Sequence, residues 1–233
     1  KGVGFSSFVE RTGYASARFL AGRGSRFGAH ESVTLRANRS GSIDLYTGVS
    51  TFGQGSETAF AQICAEVLGM EYDAIHIHAG DTAAAPLNTG AFASRTLIAG
   101  AGAIREAAES LRGKILRIAA WVLECEPEAL DISGDAVRFR EGSNRSVPLA
   151  DIFFRAIIGQ GIPESEAPGL EASAHFEPTD ASFSFGTAAA VVLVDPESGE
   201  FNVERFIMAH DSGVPVNPLL VEGQVRGGFV QGL

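Results

Sequence analysis

The sequence predicts an α+β fold, and three observations support this prediction. Several pairs of apolar segments are separated by short turns, which is typical of β-hairpins. Apolar residues recur at helical spacing in longer segments between them. One of these helical segments is long enough to cross a whole domain. Because hairpins are interspersed with helices, mixed sheets packed with helices are favoured over a regular parallel sheet.

Strand signals begin at the start of the chain. Residues 2–9 are apolar and aromatic, and ESVTLRANRSGSIDLYTGV alternates around a turn at Ser40 and Gly41, which predicts a hairpin. A short strand is expected in AIHIHAG, and further hairpins are expected in DAVRFREGSNRSV and in TAAAVVLVDPESGEFNVERFIMAHD. The segment GQGIPESEAPGLEASA is rich in turn residues, so we expect it at the surface.

Apolar periodicity predicts the two main helices. A first helix is expected from about Ser56 to Leu68, with Gly69 as its C-terminal cap. The strongest signal is a continuous apolar stripe from about Thr96 to Leu123. Glycine costs a helix about 1 kcal/mol relative to alanine. Another backbone is therefore expected to pack closely where this long helix carries glycines, at Gly100, Gly102 and Gly113.

Proline signals predict two shorter helices. Residues 146–148 open one that runs through about Ile158, with Pro148 near its first turn. Asn217 and Pro218 begin the last helix, and the sequence ends inside it. We therefore expect these residues to be part of a longer chain.

Composition and charge exclude several classes of function. Of the 233 residues, 45% are hydrophobic and 20% are charged, which is ordinary for a soluble globular protein. The net charge of −10 disfavours nucleic acid as a partner, because phosphates require a basic surface. No apolar run approaches the roughly 18 residues of a membrane-spanning helix. Two cysteines without CxxC spacing do not form a secreted disulfide scaffold, so a cytoplasmic location is expected.

The Phe-Gly-Gln-Gly turn that leads into the first helix is a candidate anion site. Gly53 and Gly55 permit positive φ and the close approach of a ligand, and the following helix start offers unpaired N–H groups. The amide of Gln54 both donates and accepts hydrogen bonds, which suits a heterocycle. The turn matches neither GxGxxG nor a P-loop. Taken alone, it is more simply interpreted as a structural connection.

The stretch DTAAAPLNTGAFASRTLIAGAGA is a second candidate. Ala93, Ser94, Arg95 and Thr96 place hydroxyl groups and a cation among small residues at the start of the long helix. A helix cap by Ser94 or Thr96 is the simpler interpretation of this segment alone. Because two such turns each lead into a helix, a shared anionic ligand becomes more credible.

The stretch HDSGVPVNPLLVEGQVRGGFVQG is a third candidate. It places Gln224 near glycines within the last predicted helix. Gly227 and Gly228 are unfavourable there, so we expect them to allow close approach of a ligand or of another helix.

No residue of this sequence is assigned to catalysis or to a metal. His76 and His78 alternate along one strand at a spacing compatible with metal ligation, but no third ligand is evident nearby. Ordinary packing or surface polar contacts are the favoured interpretation of both. The sequence contains no GxSxG elbow, no evident Ser-His-Asp set and no pair of carboxylates that stands out for acid–base chemistry.

In their order and spacing, the three stretches resemble the molybdenum-binding subunit of the xanthine dehydrogenase and aldehyde oxidase family, including its carbon monoxide dehydrogenase-type large chains. FGQG followed by ETAFAQICAEVLG is similar to the family motif MGQG…T…Q, with Phe52 in place of methionine. GDTAAAPLNTGAFASRTLIAGAGA resembles GDT…P…G…(S/A)SR(S/T)…GAA, and DSGVPVNPLLVEGQVRGGFVQGL resembles D.G..(I/V)NP..VEGQ..GG..QG(L/I). The similarity covers nearly all 233 residues.

The resemblance implies that residues 1–233 are the second molybdopterin-binding domain of such a subunit, truncated at both ends. It implies a molybdopterin cofactor with molybdenum, in bacterial members often in the cytosine dinucleotide form. Gly53, Gln54 and Gly55 would line one side of this cofactor. Residues 93–96 would cradle it from a second loop, and Gln224 would contribute from a third.

The resemblance also implies the activity of a larger enzyme. Family members hydroxylate an aldehyde or N-heterocycle, or oxidise carbon monoxide, with oxygen from water. Electrons leave through iron–sulfur clusters and FAD, which are expected on partner subunits or domains. The family's glutamate base belongs to a segment that follows the region seen here, so this chain alone is expected to be inactive.

Two other classes of function remain open at this point. The chain could be a structural or partner-binding α+β module that binds no cofactor, although Gln54, Arg95 and Gln224 beside glycines favour a cofactor site. An unrelated nucleotide-binding enzyme is disfavoured by the missing P-loop and Rossmann patterns.

Overall fold

The computed structural model describes residues 1–26 and 28–233, and in this part of the chain three sheets are packed with five α-helices. The strands are β1 (Gly2–Thr12), β2 (Glu31–Ala37), β3 (Ile43–Thr47), β4 (Ile75–Ala79), β5 (Leu130–Ser133), β6 (Ala136–Phe139), β7 (Ser146–Pro148), β8 (Glu171–Phe176), β9 (Ser182–Val194) and β10 (Phe201–Asp211). The helices are α1 (Ala17–Ala21), α2 (Ser56–Leu68), α3 (Thr96–Leu123), α4 (Leu149–Ile158) and α5 (Pro218–Gly232). The predicted α+β class is confirmed.

A four-stranded central sheet has the strand order β4-β3-β2-β8. β2 and β3 form the predicted antiparallel hairpin, whereas β3 pairs in parallel with β4, with Thr47 opposite Ala79. Helix α2 connects these parallel strands, so β3-α2-β4 is a βαβ unit within an otherwise antiparallel sheet. The carboxyl ends of β3 and β4 therefore lie side by side, and the loops that follow them leave the sheet at the same edge.

The hydrophobic core lies between the central sheet and the helices. Leu35 and Leu45 of the sheet face Phe60 of α2 and Ile104 and Leu111 of α3, and all five are at most 1% exposed. Burying an apolar side chain of this size contributes about 1.5–3 kcal/mol. The two main helices have the bounds that their periodicity predicted, and Gly69 caps α2 in the left-handed conformation.

The glycines of α3 lie against aromatic rings. A Cβ added at Gly100 would lie 2.6 Å from Cζ of Phe60, and one added at Gly102 would collide with the ring of Phe176. At Gly113 it would meet only the flexible side chain of Arg117, at 3.3 Å. The prediction of close packing is right for the first two positions, but the expected backbone neighbour is wrong. Bulky side chains of α2 and β8 fill the space instead.

Between α3 and β9 the structure differs from the sequence-based prediction. Residues 146–148 form strand β7, because Val147 pairs with Val137 of β6, and the predicted helix begins one residue later, with Pro148 as its N-cap and Ile158 as its last residue. β7 and β6 form the expected hairpin, to which β5 adds a strand that was not predicted. The turn-rich segment after Ile158 ends in β8, whose partner β2 lies more than 130 residues earlier. Pairing between distant segments decides these elements, and local patterns do not reveal it.

A second, peripheral sheet consists of β1, β9 and β10 in the order β1-β9-β10. Its strands are antiparallel, and Phe5 pairs with Ala189 far along the chain. Helix α5 packs on one face, where the rings of Phe206 and Phe229 are stacked 4.2 Å apart. Residues 1–12 and 171–233 are all described, and none of them is buried.

Within residues 1–26 and 28–233, no helix is long and apolar enough to cross a membrane.

Candidate functional site

The three predicted site segments converge at one end of the molecule. The Phe-Gly-Gln-Gly turn follows β3, and the segment that leads into α3 follows β4, the neighbouring strand. The two loops touch, because a Cβ at Gly48 would lie 2.7 Å from Cγ of Asn88. The third segment joins them, because a Cβ at Gly55 would lie 2.5 Å from Cδ2 of Leu220 in α5.

The starts of α2 and α3 lie side by side. Phe60 and Gly100, which touch, are each four residues after the first residue of their helix. At about 1.5 Å per residue, each contact is about 6 Å along the helix axis from its start. Both helix starts, with their unpaired N–H groups, therefore lie close to this contact.

The start of α2 has no side-chain cap, and the turn before it is open at Gly53. Gly53 and Gly55 adopt φ values of 103° and 79°, and a Cβ at Gly53 would have nothing within 4 Å. The hydroxyl of Ser56 is buried and has no hydrogen-bond partner among the described residues. Gln54 is half-buried, and its side-chain oxygen accepts a hydrogen bond from the N–H of Phe52 at 2.9 Å. A buried hydroxyl without a partner at an uncapped helix start suits an anionic ligand.

The start of α3 is strained as well as uncapped. Ala93 and Ser94 adopt φ values of 49° and 53°, a left-handed conformation that costs a residue with a Cβ about 1–2 kcal/mol. The helix cap considered for Ser94 or Thr96 is not formed, because Arg95 occupies the N-cap position without a side-chain cap hydrogen bond. Ser94 is exposed and Thr96 is half-buried. Such strain persists only where surrounding contacts hold it in place.

Arg95 provides those contacts. Its side chain is 2% exposed and turns inward to form an ion pair with Glu31, which is 0% exposed. Its guanidinium also donates to the carbonyl oxygens of Gly90 at 2.6 Å and of Ala29 and His30 at 2.9 Å each. The side chain thus ties the loop before α3 to the start of β2, while the loop backbone stays at the surface.

Glu31 is a member of the site that the sequence analysis did not single out. Burial raises the pKa of its carboxyl group, and the charge of Arg95 opposes this effect. The Asn88 side chain also acts to lower this pKa, and its Nδ2 atom is buried, like Oε2 of Glu31. A signal was present: the alternation that turns Val33 and Leu35 toward the core turns Glu31 inward too. A carboxylate in that position requires a buried cation.

Helix α5 brings the third segment to the starts of the other helices. The Asn217 side chain caps α5 by accepting from the N–H of Leu220 at 3.1 Å. It also donates to Oε1 of Gln62 in α2 at 3.0 Å. Gln224 is exposed and lies one turn after Leu220 on the same face of α5. Nothing described lies within 4 Å of a Cβ at Gly227 or Gly228, so the close approach expected there remains a prediction.

A cleft of about 540 Å³ opens beside the strained turn. Its lining residues are Glu10, Arg11, Tyr14, Phe19, Arg23, Ala93, Ala181 and Phe183. The guanidinium of Arg11 lies 4.8 Å from the ring centre of Tyr14, and that of Arg23 lies 4.2 Å from the ring centre of Phe19. Cations and aromatic rings in one cleft suit a flat, negatively charged ligand.

The two strand histidines lie outside this site. His78 is 2.9 Å from the carboxylate of Asp44, His76 is 3.5 Å from it, and His78 stacks on Tyr46. Partial burial acts to raise the pKa of Asp44, but hydrogen bonds from His78 and Asn38 outweigh it and lower that pKa. No cluster of three or more metal-ligating side chains occurs within residues 1–26 and 28–233.

Comparison with known proteins agrees with the family resemblance of the three segments. A sequence-family model described as a molybdopterin cofactor-binding domain matches residues 1–233. The nicotine 6-hydroxylase large subunit of Paenarthrobacter nicotinovorans is 31% identical over 233 residues, which are 100% of this chain and 28% of that protein. The carbon monoxide dehydrogenase large chain of Hydrogenophaga pseudoflava is 33% identical over 231 residues, 99% of this chain and 28% of that one.

Solved structures agree with these sequence matches. Quinoline 2-oxidoreductase from Pseudomonas putida 86 matches with a TM-score of 0.87 and 34% identity, covering 97% of this chain and 29% of that one. Carbon monoxide dehydrogenase from Oligotropha carboxidovorans matches with a TM-score of 0.85 and 30% identity, covering 97% and 28%. The chain therefore spans less than a third of the length of these relatives.

Proposed function

We propose, because this chain belongs to the family of molybdopterin cofactor-binding domains, that it holds the molybdopterin of a larger molybdenum-dependent oxidoreductase. The proposed contacts come from all three converging segments. They are Gly53, Gln54, Gly55, Ala93, Ser94, Arg95, Thr96 and Gln224.

One observation carries this proposal: two uncapped helix starts lie side by side at the edge where β3 and β4 end. Each helix start carries a partial positive charge of roughly half an elementary charge. Together with the unpaired hydroxyl of Ser56 they would form a cradle for phosphate groups. The amides of Gln54 and Gln224 would bond to the polar edge of a pterin.

Some residues of this chain would contact the cofactor, and others would hold those residues in position. The backbone of residues 93–96 and the Ser94 hydroxyl would meet the cofactor, because they lie at the surface. Arg95 would act by holding that backbone in its left-handed turn, because its own donors are committed to Glu31 and to three carbonyl oxygens. Glu31 would be a positioning residue through Arg95. When bound, molybdopterin supplies the molybdenum at which substrate oxidation takes place.

We propose that the whole protein hydroxylates an aldehyde or N-heterocycle, or oxidises carbon monoxide, with oxygen from water. Relatives with the names nicotine 6-hydroxylase and carbon monoxide dehydrogenase support these substrate classes. Residues 1–233 would be the second molybdopterin-binding domain of its large chain. The cofactor would be the cytosine dinucleotide form, for which the cleft beside Ala93 offers aromatic rings and cations. Iron–sulfur and flavin subunits would be partners, as expected of large chains in multi-subunit complexes.

We further propose that the protein works in the cytoplasm. The free thiols of Cys64 and Cys125 support a reducing compartment.

A structural module that binds no cofactor is the second candidate. The inward orientation of Arg95 favours it, because structural contacts within the chain account for this side chain. It leaves the unpartnered Ser56 hydroxyl unexplained.

The experiment that separates the two candidates is a measurement of cofactor content. The full-length parent is expressed with its partner subunits, and bound molybdenum and released pterin nucleotide are quantified. In a Gln54→Ala/Gln224→Ala variant, each hydrogen bond lost to the pterin is worth about 0.5–1.5 kcal/mol, so occupancy at limiting cofactor should fall about fivefold or more. Wild-type protein without pterin, made by a host that produces the cofactor, would support the structural module.

The matched control is Gln160→Ala, which removes an exposed amide at the end of α4. Its occupancy should equal that of the wild type. If the double variant also keeps full occupancy, the proposed amide contacts are wrong.

A further inference from the structure

One face of the peripheral sheet carries a row of large apolar side chains that are exposed. We call it the apolar face. Its residues are between 47% and 77% exposed, and they are Val3, Phe5, Val9, Phe183, Phe185, Leu193 and Ile207.

Strand register puts these side chains on the same side. Phe5 of β1 pairs with Ala189 of β9, which pairs with Ile207 of β10. Val9 pairs with Phe185. Residues directly opposite each other in antiparallel strands share a face, and alternate residues along one strand do so as well. The seven side chains therefore form one surface.

The opposite face of the same sheet is covered. Phe206 and Met208 of β10 point to that side and are half-buried, and the ring of Phe206 stacks on Phe229 of α5. Phe8 of β1 also lies on this side and is half-buried. The sheet thus has one face packed by its own helix, and the apolar face is its other side.

The central sheet shows how this protein builds a sheet face that meets water. The face turned away from the helices pairs polar groups across strands, as in Thr34 with Ser173 at 2.7 Å. Arg36 donates to a carboxylate on the neighbouring strand at the same face. The apolar face has no such pattern over most of its length. Contiguous exposed apolar surface of this kind marks an interaction site.

The size of the apolar face limits what can cover it. Strands of 11 residues at about 3.3 Å per residue, three abreast at about 4.8 Å, give a flat area of about 500 Å². Stable complexes between separate proteins bury about 800 Å² on each partner. Interfaces between domains of one chain total about 600–1,500 Å², with half of that area on each side. The apolar face is large enough for one side of an interface of the second class, in which the covalent connection between the domains supplies a high effective concentration.

We propose that the apolar face docks another domain of the same polypeptide, formed by residues outside 1–233. The relatives leave ample chain for this domain, since the matched region covers only 28% of the nicotine 6-hydroxylase large subunit and 29% of the quinoline 2-oxidoreductase chain. The proposal does not depend on the cofactor, and a protein without molybdopterin would dock the domain in the same way.

A matched pair of serines tests this docking. Ser7 lies in the middle of the apolar face and bonds to Thr187 at 2.8 Å, and Ser173 lies on the polar face of the central sheet and bonds to Thr34 at 2.7 Å. Both are exposed residues within strands, so Ser7→Cys and Ser173→Cys form a matched pair. The first thiol measures the accessibility of the apolar face, and the second measures that of the polar face of the central sheet. Each variant is made in the full-length parent chain, purified without partner subunits and labelled with a maleimide. Peptide mass spectrometry separates the new thiol from Cys64 and Cys125.

We expect the thiol of Ser7→Cys to react at least about tenfold more slowly than that of Ser173→Cys. The docked domain must move away from the apolar face before the maleimide can reach the first thiol. Light scattering is measured in parallel to show that the protected protein is a monomer. Equal labelling rates would overturn the proposal. Protection that is lost when a dimer dissociates on dilution would assign the face to a second copy. Protection that appears only after a partner subunit is added would assign it to that subunit, and both outcomes contradict the proposal.

Discussion

In both the central sheet and the peripheral sheet, side chains alternate between the two faces, but the exposed face is polar in the first and apolar in the second. The central sheet buries its apolar face under α2 and α3 and turns paired polar groups outward. The peripheral sheet packs α5 on one face and exposes apolar side chains on the other. The region around the central sheet thus contains its own core, whereas none of the three strands of the peripheral sheet contains a buried residue.

The candidate site lies where these two regions meet. The N–H of Gly13, just after β1, donates to the carbonyl of Ala93 at 2.8 Å. Leu220 of α5 packs against Gly55 at the start of α2. The central region supplies both helix starts, and the peripheral region braces them from either side. We therefore expect substitutions in the two regions to differ in how much they lower stability relative to how much they lower cofactor binding.

The largest effect is expected when the buried ion pair of the central region is broken. Arg95→Ala leaves the carboxylate of Glu31 buried without its cation, which costs about 3–5 kcal/mol of unfolding free energy. Urea unfolding of the full-length protein measures this loss. The control is Arg105→Ala, which removes an exposed ion pair with Glu109 from the same helix and should change stability little. Similar losses of unfolding free energy in both variants would show that the buried ion pair contributes no more to stability than the exposed one.

An intermediate effect is expected from glycines within α3. At Gly100 an added methyl group meets the ring of Phe60, so Gly100→Ala should lose about 1–3 kcal/mol from overpacking, partly offset by helix propensity. Gly113→Ala meets only a flexible arginine and should gain up to about 1 kcal/mol. Thermal unfolding of both variants gives the sign of each change. A gain at Gly100 would mean that the contact between α2 and α3 relaxes easily.

The smallest effect is expected on the polar face of the central sheet. Asp44→Asn removes a partly exposed contact with His78 and should cost less than about 1 kcal/mol at neutral pH. The pKa of Asp44 is lowered by folding, so its contribution is present above the unfolded pKa of 3.8 and is lost as pH falls through the lower folded pKa. Stability measured between pH 2 and pH 5 should fall less steeply in the variant. An unchanged slope would mean that Asp44 adds nothing to acid sensitivity.

The sequence predicted those elements whose signals are local. The bounds of α2 and α3 follow from apolar periodicity and from Gly69, which adopts the left-handed conformation that a C-terminal cap needs. The hairpin of β2 and β3 follows from alternation around Gly41. Residues 146–147 were misassigned as part of a helix start, because Val147 pairs with β6, whereas the helix signal of Pro148 is confirmed by α4, which begins at the next residue.

The candidate site was predicted only in part for the same reason. The three segments were identified from their motifs, but their convergence depends on the parallel pairing of β3 with β4, which no local pattern reveals. Arg95 was expected to face a ligand, and its contacts with Glu31 come from a partner 64 residues away. A charged residue next to glycines is equally compatible with an outward and an inward orientation.

The pairing of β1 with β9 sets an order of events during synthesis. The ribosome adds about 5–20 residues per second, so β1 waits roughly 10–40 s for the strand that pairs with it. During that time Phe5 and Phe8 belong to an unpaired apolar segment of the kind that chaperones bind. The central sheet is completed only when β8 has been made, just before β9. The last parts to arrive, β9, β10 and α5, then close the peripheral sheet and bring Leu220 to Gly55, so the pocket is completed only at the end of translation of this region.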